Sequence, residues 1–200
     1  MASVLIYYAH PAQERSHANA AMITAARSVD GVTIVDLYNT YPRFDIDIDA
    51  EQERLQAHDV ILFQYPVFWY APPALVKEFL DLVLEHGFAY GDDGTALAGK
   101  YMGLVLTAAG SGQAYSTQGY QNFSLRDFTK PMQQTATLCG MHFLAPYTLF
   151  SALNTSETEN IAPHAVGYAN YITALRDDAL DLEAAISADL IFHSTLPVKG

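Results

Sequence analysis

The fold of this chain is constrained most by the alternation of short apolar runs with longer segments of helical periodicity. Each run is rich in β-branched and aromatic residues, as is typical of strands that are buried on both faces of a sheet. The segments between the runs are long enough to cross over as helices before the next parallel strand begins. The predicted strands are residues 4–9, 32–38, 59–65, 101–107 and 141–150, the last of them interrupted by Pro146.

Repeated strand–helix units of this kind predict a three-layer α/β fold, in which helices cover both faces of a five-stranded parallel sheet. The order 2-1-3-4-5 is favoured for a doubly wound sheet of this size. We predict one domain over residues 1–200, with residues 190–200 as a tail or a partner-facing arm. The predicted helices are residues 16–28, 50–57, 73–86 and 127–139, and a region at 158–189 that breaks near Pro163.

The composition narrows the possible partners. The 200 residues carry a formal net charge of −12, with 22 acidic against 10 basic residues, which argues against nucleic acid or anionic lipid as a general partner. The single cysteine, Cys139, excludes an internal disulfide, and its apolar surroundings indicate a buried packing residue. No apolar run approaches the thickness of a bilayer, and the N-terminus lacks the basic region of a signal peptide. We therefore expect a soluble, cytoplasmic protein.

The loop after the first strand is the first candidate binding site. His10 and Pro11 end the strand because proline has no N–H for the sheet, and Ser16 is a suitable N-cap for the helix that follows. In a parallel sheet this geometry aims backbone N–H groups and a helix dipole at one point, which favours an anion. The chain has neither a G-x-G-x-x-G nor a P-loop sequence. Two interpretations remain: a phosphate site built from hydroxyl, amide and imidazole side chains, or a capped helix without a ligand.

Two further loops end at the same edge of the predicted sheet, where a doubly wound fold has its ligand crevice. The loop after the third strand, residues 66–73, holds three consecutive aromatic residues between prolines, which suit either the wall of a planar ligand site or a dimer contact. The loop after the fourth strand, residues 107–119, is rich in small residues, which allow the backbone and its free N–H groups to approach a ligand closely.

These motifs together carry a resemblance to a known family. The chain resembles the NAD(P)H:quinone reductases of the flavodoxin-like, doubly wound fold, which include DT-diaphorase. It is more similar to the bacterial ancillary oxidoreductase subunits of glutathione-gated potassium efflux systems. The resemblance is specific because several separated motifs occur in the family's order over roughly residues 3–150. The motifs are Tyr8–Pro11 with Ser16–Asn19, Glu51–Asp59, Phe68–Pro73, His86–Gly91, Gly94–Lys100 and Thr107–Gly119.

The resemblance implies a flavin whose phosphate lies against His10, Ser16 and Asn19 and whose ring is held by the loops after the third and fourth strands. FMN is preferred over FAD because the stretch between the second and third strands is short, whereas DT-diaphorase has a longer insertion there. NAD(P)H is the implied co-substrate. The implied cofactor-binding residues are His10, Ser16, His17, Ala18, Asn19, Val67, Phe68, Trp69, Tyr70, Thr107, Ala108, Ala109, Gly110 and Tyr115.

The resemblance also implies a catalytic pair, Tyr115 and Gln121, beside the acceptor. In DT-diaphorase the tyrosine is followed by a histidine that assists proton transfer, and this chain has Gln121 in its place. Glutamine can donate a hydrogen bond but cannot relay a proton near neutral pH. The usual Thr-Thr-Gly-Gly is Thr-Ala-Ala-Gly at 107–110, which gives two small residues a Cβ. Homodimers with two sites across the interface are also implied, with contributions from aromatic residues such as Phe123 or Phe128.

The favoured function is hydride transfer from NAD(P)H through flavin to a quinone or a similar electrophilic acceptor, with the protein positioning donor and acceptor in turn over one face of the ring. A second hypothesis is a regulatory subunit that binds a potassium efflux transporter at the inner face of the membrane, with any redox activity secondary. A third is a flavodoxin-type electron carrier, which the acidic composition suits but the aromatic loops do not. No nucleic-acid partner and no metal site are predicted.

Overall fold

A computed structural model describes residues 1–153 and 158–200 of the protein. The strands are β1 (Val4–Tyr8), β2 (Val32–Asp36), β3 (Val60–Pro66), β4 (Tyr101–Thr107), β5 (His142–Phe143) and β6 (Tyr147–Leu149). The helices are α1 (His17–Arg27), α2 (Leu37–Thr40), α3 (Ile48–Gln56), α4 (Ala74–Val83), α5 (Leu125–Phe128), α6 (Lys130–Leu138), α7 (Thr158–Arg176) and α8 (Leu182–Ser187). No helix within these described ranges has the length and the apolar character that a membrane span requires.

The strands form one parallel sheet in the order β2-β1-β3-β4, and both β5 and β6 pair with β4. Tyr101 at the start of β4 is opposite His142, and Val105 near its end is opposite Tyr147. β5 and β6 are therefore two parts of the fifth strand, separated around Pro146 because proline has no N–H to donate to the ladder. The predicted order 2-1-3-4-5 and the interruption at Pro146 are both confirmed.

Burial on both faces of the sheet explains the continuous apolar runs. Leu5 and Tyr7 of β1 belong to a core shared with α3, α4 and α6. The alternate residues Val4, Ile6 and Tyr8 belong to a second core shared with α1 and α7. Because successive side chains of a strand point to opposite faces, helices on both sides of the sheet keep every side chain of β1 out of water. The predicted three-layer arrangement is confirmed.

A buried carboxylate connects α3 to the sheet through a hydrogen bond. Glu51 is fully buried and accepts hydrogen bonds from the hydroxyl of Tyr7 at 2.6 Å and from that of Tyr41 at 2.5 Å. Arg54, on the next turn of α3, forms an ion pair with the same carboxylate. Burial and the neighbouring carboxylate raise the pKa of Tyr41 to about 12, so this phenol remains a donor at neutral pH. A buried charge is tolerated when it is paired and hydrogen-bonded in this way.

Two predicted elements are shorter in the structure. β2 ends at Asp36 because this residue caps α2, its side chain accepting from the N–H of Asn39 at 3.2 Å. α4 ends at Val83, before the predicted end at residue 86, because the backbone leaves the helical region at Leu84 with φ −86° and ψ 66°.

Two predicted helices are divided differently in the structure. The helix predicted at 127–139 is two helices, α5 and α6, because a capping box at Ser124 begins α5 early and the chain turns at Thr129. The last helical region breaks at residues 177–181 and not near Pro163. Pro163 lies in the second turn of α7, where its missing N–H removes a single intrahelical hydrogen bond and leaves the helix intact.

Residues 190–200, expected to be a tail or a partner-facing arm, pack against the sheet edge. Ile191 is fully buried beside β6. Its N–H donates to the carbonyl of Pro146 at 2.9 Å, and its own carbonyl accepts from the N–H of Thr148 at 2.9 Å. Farther along, Val198 pairs with Leu180. The segment thus adds one short paired stretch to the outer edge of β6.

Candidate active site

Three loops at the carboxyl ends of β1, β3 and β4 meet around a cleft of about 450 Å³. This is the position expected for the ligand crevice of a doubly wound sheet. The first side of the cleft is the loop before α1 and the first turn of that helix, and the other two sides follow β3 and β4. The predicted site residues that line it are His10, Ser16, His17, Ala18, Asn19, Val67, Phe68, Thr107 and Ala109.

The cleft is suited to an anion although the protein is acidic. Ser16 caps α1 as predicted, because its Oγ accepts from the N–H of Asn19 at 3.3 Å, and no acidic residue occupies the first turn. Arg15 lines the cleft together with His10 and His17, and its described lining contains no carboxylate. The whole chain carries a net charge of −12. A cation beside a helix N-terminus favours a bound anion at this point.

His10 lies in the cleft wall as a neutral hydrogen-bond donor. Its Nδ1 accepts from the N–H of Ala12 at 3.1 Å, which leaves the ring proton on Nε2. Burial lowers the pKa of His10, so the neutral ring is the form present at neutral pH. Phe68, from the loop after β3, lies edge-on to the imidazole with 5.9 Å between the ring centroids. The ring thus links two loops and keeps an N–H for a ligand.

A buried polar contact ties the three loops together. The Nδ2 of Asn19 donates to the hydroxyl of Thr107 at 2.8 Å, and the Nε2 of Gln64 donates to the backbone carbonyl of Asn19 at 3.3 Å. The N–H of Val67 donates to the carbonyl of Thr107 at 2.9 Å. The side-chain oxygens of Asn19 and Gln64 are buried and have no partner among the described residues. Since an unpaired buried acceptor is costly, the oxygen of Asn19, which lines the cleft, suits a ligand that donates hydrogen bonds.

The small-residue loop after β4 offers fewer free backbone groups than predicted. The N–H of Ala108 donates to the carbonyl of Leu149 at 2.9 Å, and the carbonyl of Ala108 accepts from the N–H of Ala152 at 2.9 Å. The chain after β6 therefore continues to pair with this loop. The N–H groups of Ala109 and Gly110 have no partner among the described residues, so these two remain available to a ligand.

The aromatic loop after β3 forms a tight turn with a strained backbone. The N–H groups of Phe68 and Ala71 each donate to the other residue's carbonyl, at 3.1 and 3.0 Å. The two central residues, Trp69 and Tyr70, have φ values of 48° and 66°. Asn-Gly is the usual sequence for such a turn, and a non-glycine residue held in this region costs about 1–3 kcal/mol. The turn nevertheless presents Trp69 with 91% of its surface exposed.

Tyr70, Tyr115 and Gln121 form an aromatic and polar cluster outside the cleft lining. The hydroxyl of Tyr70 donates to Oε1 of Gln121 at 2.8 Å, and the ring of Tyr70 stacks on Phe128 with a centroid distance of 4.8 Å. Tyr115 meets the same Phe128 edge-on at 6.1 Å. Burial, and to a smaller extent the neighbouring Tyr70, raises the pKa of Tyr115. A Cβ at Gly110 would lie 3.1 Å from the Tyr115 ring, so the ring position depends on the glycine.

The predicted site residues thus fall into two groups. Those that do not line the cleft are Trp69, Tyr70, Ala108, Gly110, Tyr115 and Gln121. Tyr70 instead lies at a second groove of about 680 Å³, which runs between α4 and α6 and is mostly apolar. Cys139 lines this groove as a buried residue, in agreement with its predicted packing role.

Two residues of this region were not predicted from the sequence. Arg15 is the cation of the loop between β1 and α1, and its position directly before the capping Ser16 could have identified it. Gln64 is an amide within the apolar run of β3, which is unusual for a strand buried on both faces. A buried polar residue near the carboxyl end of such a strand is the feature that marks it.

The chain is similar to named proteins over most of its length. A family model described as a flavodoxin-like fold (Flavodoxin_2) matches residues 2–172. The glutathione-regulated potassium-efflux system ancillary protein KefG of Serratia proteamaculans (strain 568) is 43% identical over 169 residues, which are 84% of this chain and 92% of that protein.

Solved structures superpose on the same fold. General stress protein 14 (TDE0354) of Treponema denticola, solved in complex with FMN, has a TM-score of 0.82 at 30% identity and covers 86% of this chain and 99% of its own. An NADPH-quinone reductase from P. pentosaceus has a TM-score of 0.74 at 27% identity and covers 84% of this chain and 96% of its own. The match over residues 2–172, together with these similarities, shows that the chain belongs to the flavodoxin-like fold family Flavodoxin_2.

Proposed function

We propose that the protein is a flavin-dependent NAD(P)H:quinone oxidoreductase that passes hydride from NAD(P)H through FMN to a quinone or a similar electrophilic acceptor. The observation that carries the proposal is the cleft at the N-terminus of α1, which holds Arg15 and His10 without a carboxylate in a chain of net charge −12. A cofactor phosphate suits this site. The FMN complex from Treponema denticola and the quinone reductase from P. pentosaceus support the choice of cofactor and acceptor.

The residues of the cleft fit FMN. Arg15, the Ser16 hydroxyl and the first N–H groups of α1 would hold the phosphate, because each can donate to an anion. The Nδ2 of Asn19 already donates to Thr107, so it is not available to the phosphate. The unpaired side-chain oxygen of Asn19 can accept hydrogen bonds, so we assign Asn19 to the ribityl hydroxyls. The loop 67–68 would flank the ring. When bound, FMN supplies a hydride acceptor and donor, which no amino-acid side chain provides.

Tyr115 is the residue that we propose to orient the acceptor. It packs against Gly110 near the start of the loop that follows β4, and its raised pKa keeps the hydroxyl protonated at neutral pH. Gln121 belongs to the same cluster but is a neutral amide, which cannot relay a proton near neutral pH. The acceptor's proton therefore comes from the Tyr115 hydroxyl or from solvent, and the phenol regains its proton from water.

The purified protein is expected to be yellow and to release FMN on denaturation, because the cleft offers several donors to the phosphate. Under anaerobic conditions NADPH should bleach the flavin absorbance, and an added quinone should restore it. A visible spectrum before and after each addition measures both half-reactions, and chromatography of the released cofactor identifies it.

Three results would contradict parts of this proposal. A colourless protein that takes up neither FMN nor FAD on titration contradicts the flavin. Release of FAD contradicts only the choice of FMN. A bound flavin that NADPH does not reduce contradicts the oxidoreductase and favours the electron carrier.

Arg15→Gln is expected to weaken FMN binding about 10- to 150-fold, because a hydrogen bond to a charged group contributes roughly 1.5–3 kcal/mol. Riboflavin lacks the phosphate and should bind the wild type and the variant equally. Quenching of flavin fluorescence on titration of the apoprotein measures the dissociation constants of FMN and of riboflavin.

The matched control for this experiment is Arg27→Gln, the same change at the exposed last turn of α1. This variant should bind FMN as the wild type does. If Arg15→Gln weakens riboflavin as much as FMN, Arg15 acts on the shape of the loop and the phosphate lies elsewhere.

We also propose a homodimer that forms through the groove between α4 and α6. The groove is mostly apolar, and Leu138 at its rim is 60% exposed. Phe123, which is more than half exposed, packs edge-on against Phe128 at 5.9 Å, next to Tyr70. An interface here would cover the aromatic cluster and place each acceptor site beside the partner subunit. An exposed apolar groove flanked by polar residues is a feature of protein–protein interaction sites.

Leu138→Glu is expected to shift the dimer to monomer, because a carboxylate without a partner is costly in an apolar interface. Light scattering coupled to size-exclusion chromatography measures the mass. Val166→Glu is the control, since Val166 is similarly exposed, at 61%, but lies on α7 in the other helical layer. A wild type that is monomeric at micromolar concentration, or a Leu138→Glu dimer, would rule out this interface.

Regulation of a potassium efflux transporter is the second candidate function. It is favoured by the similarity to KefG of Serratia proteamaculans, which covers 84% of this chain at 43% identity. In this proposal the protein associates with the inner face of the membrane through the transporter. Trp69 is an exposed aromatic residue that suits such a contact.

Addition of the protein is expected to raise the rate of potassium release from vesicles that contain a glutathione-gated efflux transporter. A potassium electrode follows the release. Vesicles without the transporter are the control and should not respond. An unchanged rate with the transporter present contradicts the regulatory function and leaves the oxidoreductase proposal unaffected.

A further inference from the structure

Tyr70 and Gln121 are 51 positions apart in the sequence but are joined by the hydrogen bond from the tyrosine hydroxyl to Oε1 of the amide. Tyr70 is held by its left-handed backbone and by stacking on Phe128. The backbone of Gln121 is held as well, because its N–H donates to the carbonyl of Ala114 at 2.9 Å. The bond therefore connects the Tyr70 ring, which is held in place, to a side chain whose backbone is held but whose amide is otherwise free to turn.

In the structure this bond engages the oxygen end of the amide. A glutamine side chain has one oxygen acceptor and one nitrogen that carries two donor hydrogens. Because Oε1 of Gln121 accepts from Tyr70, the nitrogen is the end left for a ligand, and it has no partner among the described residues. The side chain is only partly buried, so a ligand can reach it.

Tyr115 adds a second neutral donor to the same cluster. Its ring meets the Phe128 ring on which Tyr70 stacks, and it directly follows Ala114, which holds the Gln121 backbone. Its hydroxyl donates to no side chain among the described residues. The cluster thus offers two kinds of uncharged donor and contains no carboxylate.

We infer that Tyr70 is a positioning residue, which orients the Gln121 amide so that its N–H groups and the Tyr115 hydroxyl bind carbonyl oxygens of the acceptor. The inference rests on the proposed oxidoreductase function and concerns which acceptors that function selects. Donors that lose water on binding and find no acceptor reduce affinity, so the site should prefer a planar ring with carbonyl oxygens over the same ring without them. Glycine at residue 70 would relieve the backbone strain but could not reach Gln121.

The test uses 1,4-naphthoquinone and naphthalene as probes on the oxidised, FMN-loaded protein. Their binding is followed by the fluorescence of Trp69, which is the only tryptophan in the sequence. Tyr70→Phe keeps the ring and removes the hydroxyl, and we expect it to raise the Kd for naphthoquinone about 2- to 10-fold, as for the loss of one ordinary hydrogen bond. Naphthalene should bind both proteins equally. In steady-state assays the change should be in KM and not in kcat.

Gln121→Glu separates a donor role from a supporting role. A carboxylate can accept from Tyr70 as the amide does, but it has no N–H, so naphthoquinone binding should weaken at least as much as in Tyr70→Phe. The matched control is Tyr120→Phe. It removes a tyrosine hydroxyl as Tyr70→Phe does, but from the residue next to Gln121, whose side chain is 87% exposed. This control should bind naphthoquinone as the wild type does.

The inference is overturned if Tyr70→Phe or Gln121→Glu binds naphthoquinone as tightly as the wild type. It is also overturned if naphthalene binding falls equally, since that result shows a changed shape and not lost donors. A wild type that binds and reduces FMN normally but does not prefer naphthoquinone to naphthalene overturns it as well. Failure of the oxidoreductase proposal is a different result, because the wild type would then lack FMN or its reduction by NADPH.

Discussion

The side-chain hydrogen bond from Asn19 to Thr107 joins the first turn of α1 to the end of β4, across the intervening strand β3. Gln64 of β3 donates to the backbone of Asn19, so helix α1 and the two neighbouring strands β3 and β4 share one buried polar contact. Both members of the Asn19–Thr107 pair are at most 3% exposed, and loss of either would leave a buried group unpaired. The contact therefore holds the first turn of α1 against the ends of β3 and β4, where the cleft lies.

Much of the fold could be predicted because its causes are local or periodic. Burial on both faces gives each strand a continuous apolar run in the sequence. The Ser16 cap depends on a contact between residues only three positions apart. The sequence predictions are wrong where contacts between residues far apart in the sequence determine the structure. Pro163 is a helix breaker by propensity, yet α7 continues through it and packs on the sheet through Tyr168 and Tyr171. Ile191 joins the sheet by pairing with β6, and the sequence pattern of residues 190–200 does not indicate this pairing.

The candidate site divides in the same way. Loop positions after parallel strands were sufficient to bring His10, Ser16 and Thr107 to one cleft. The aromatic cluster was beyond such reasoning, because it depends on left-handed backbone at residues where propensity favours asparagine and glycine. Arg15 directly precedes the capping Ser16, but a single cation in a polar loop is most often solvated, and its place in a cleft lining without carboxylates is visible only in three dimensions.

The pairing of Ile191 with β6 also has a consequence for the protein's behaviour in a crowded solution. An uncovered strand edge presents unpaired N–H and C=O groups, which can add a strand from another molecule and begin aggregation. Here the chain's own last residues use the Pro146 carbonyl and the Thr148 N–H at that edge. This segment follows residue 172, where the family match ends. This segment thus protects the β6 edge from pairing with a second molecule, at the same carboxyl end of the sheet where the cleft lies.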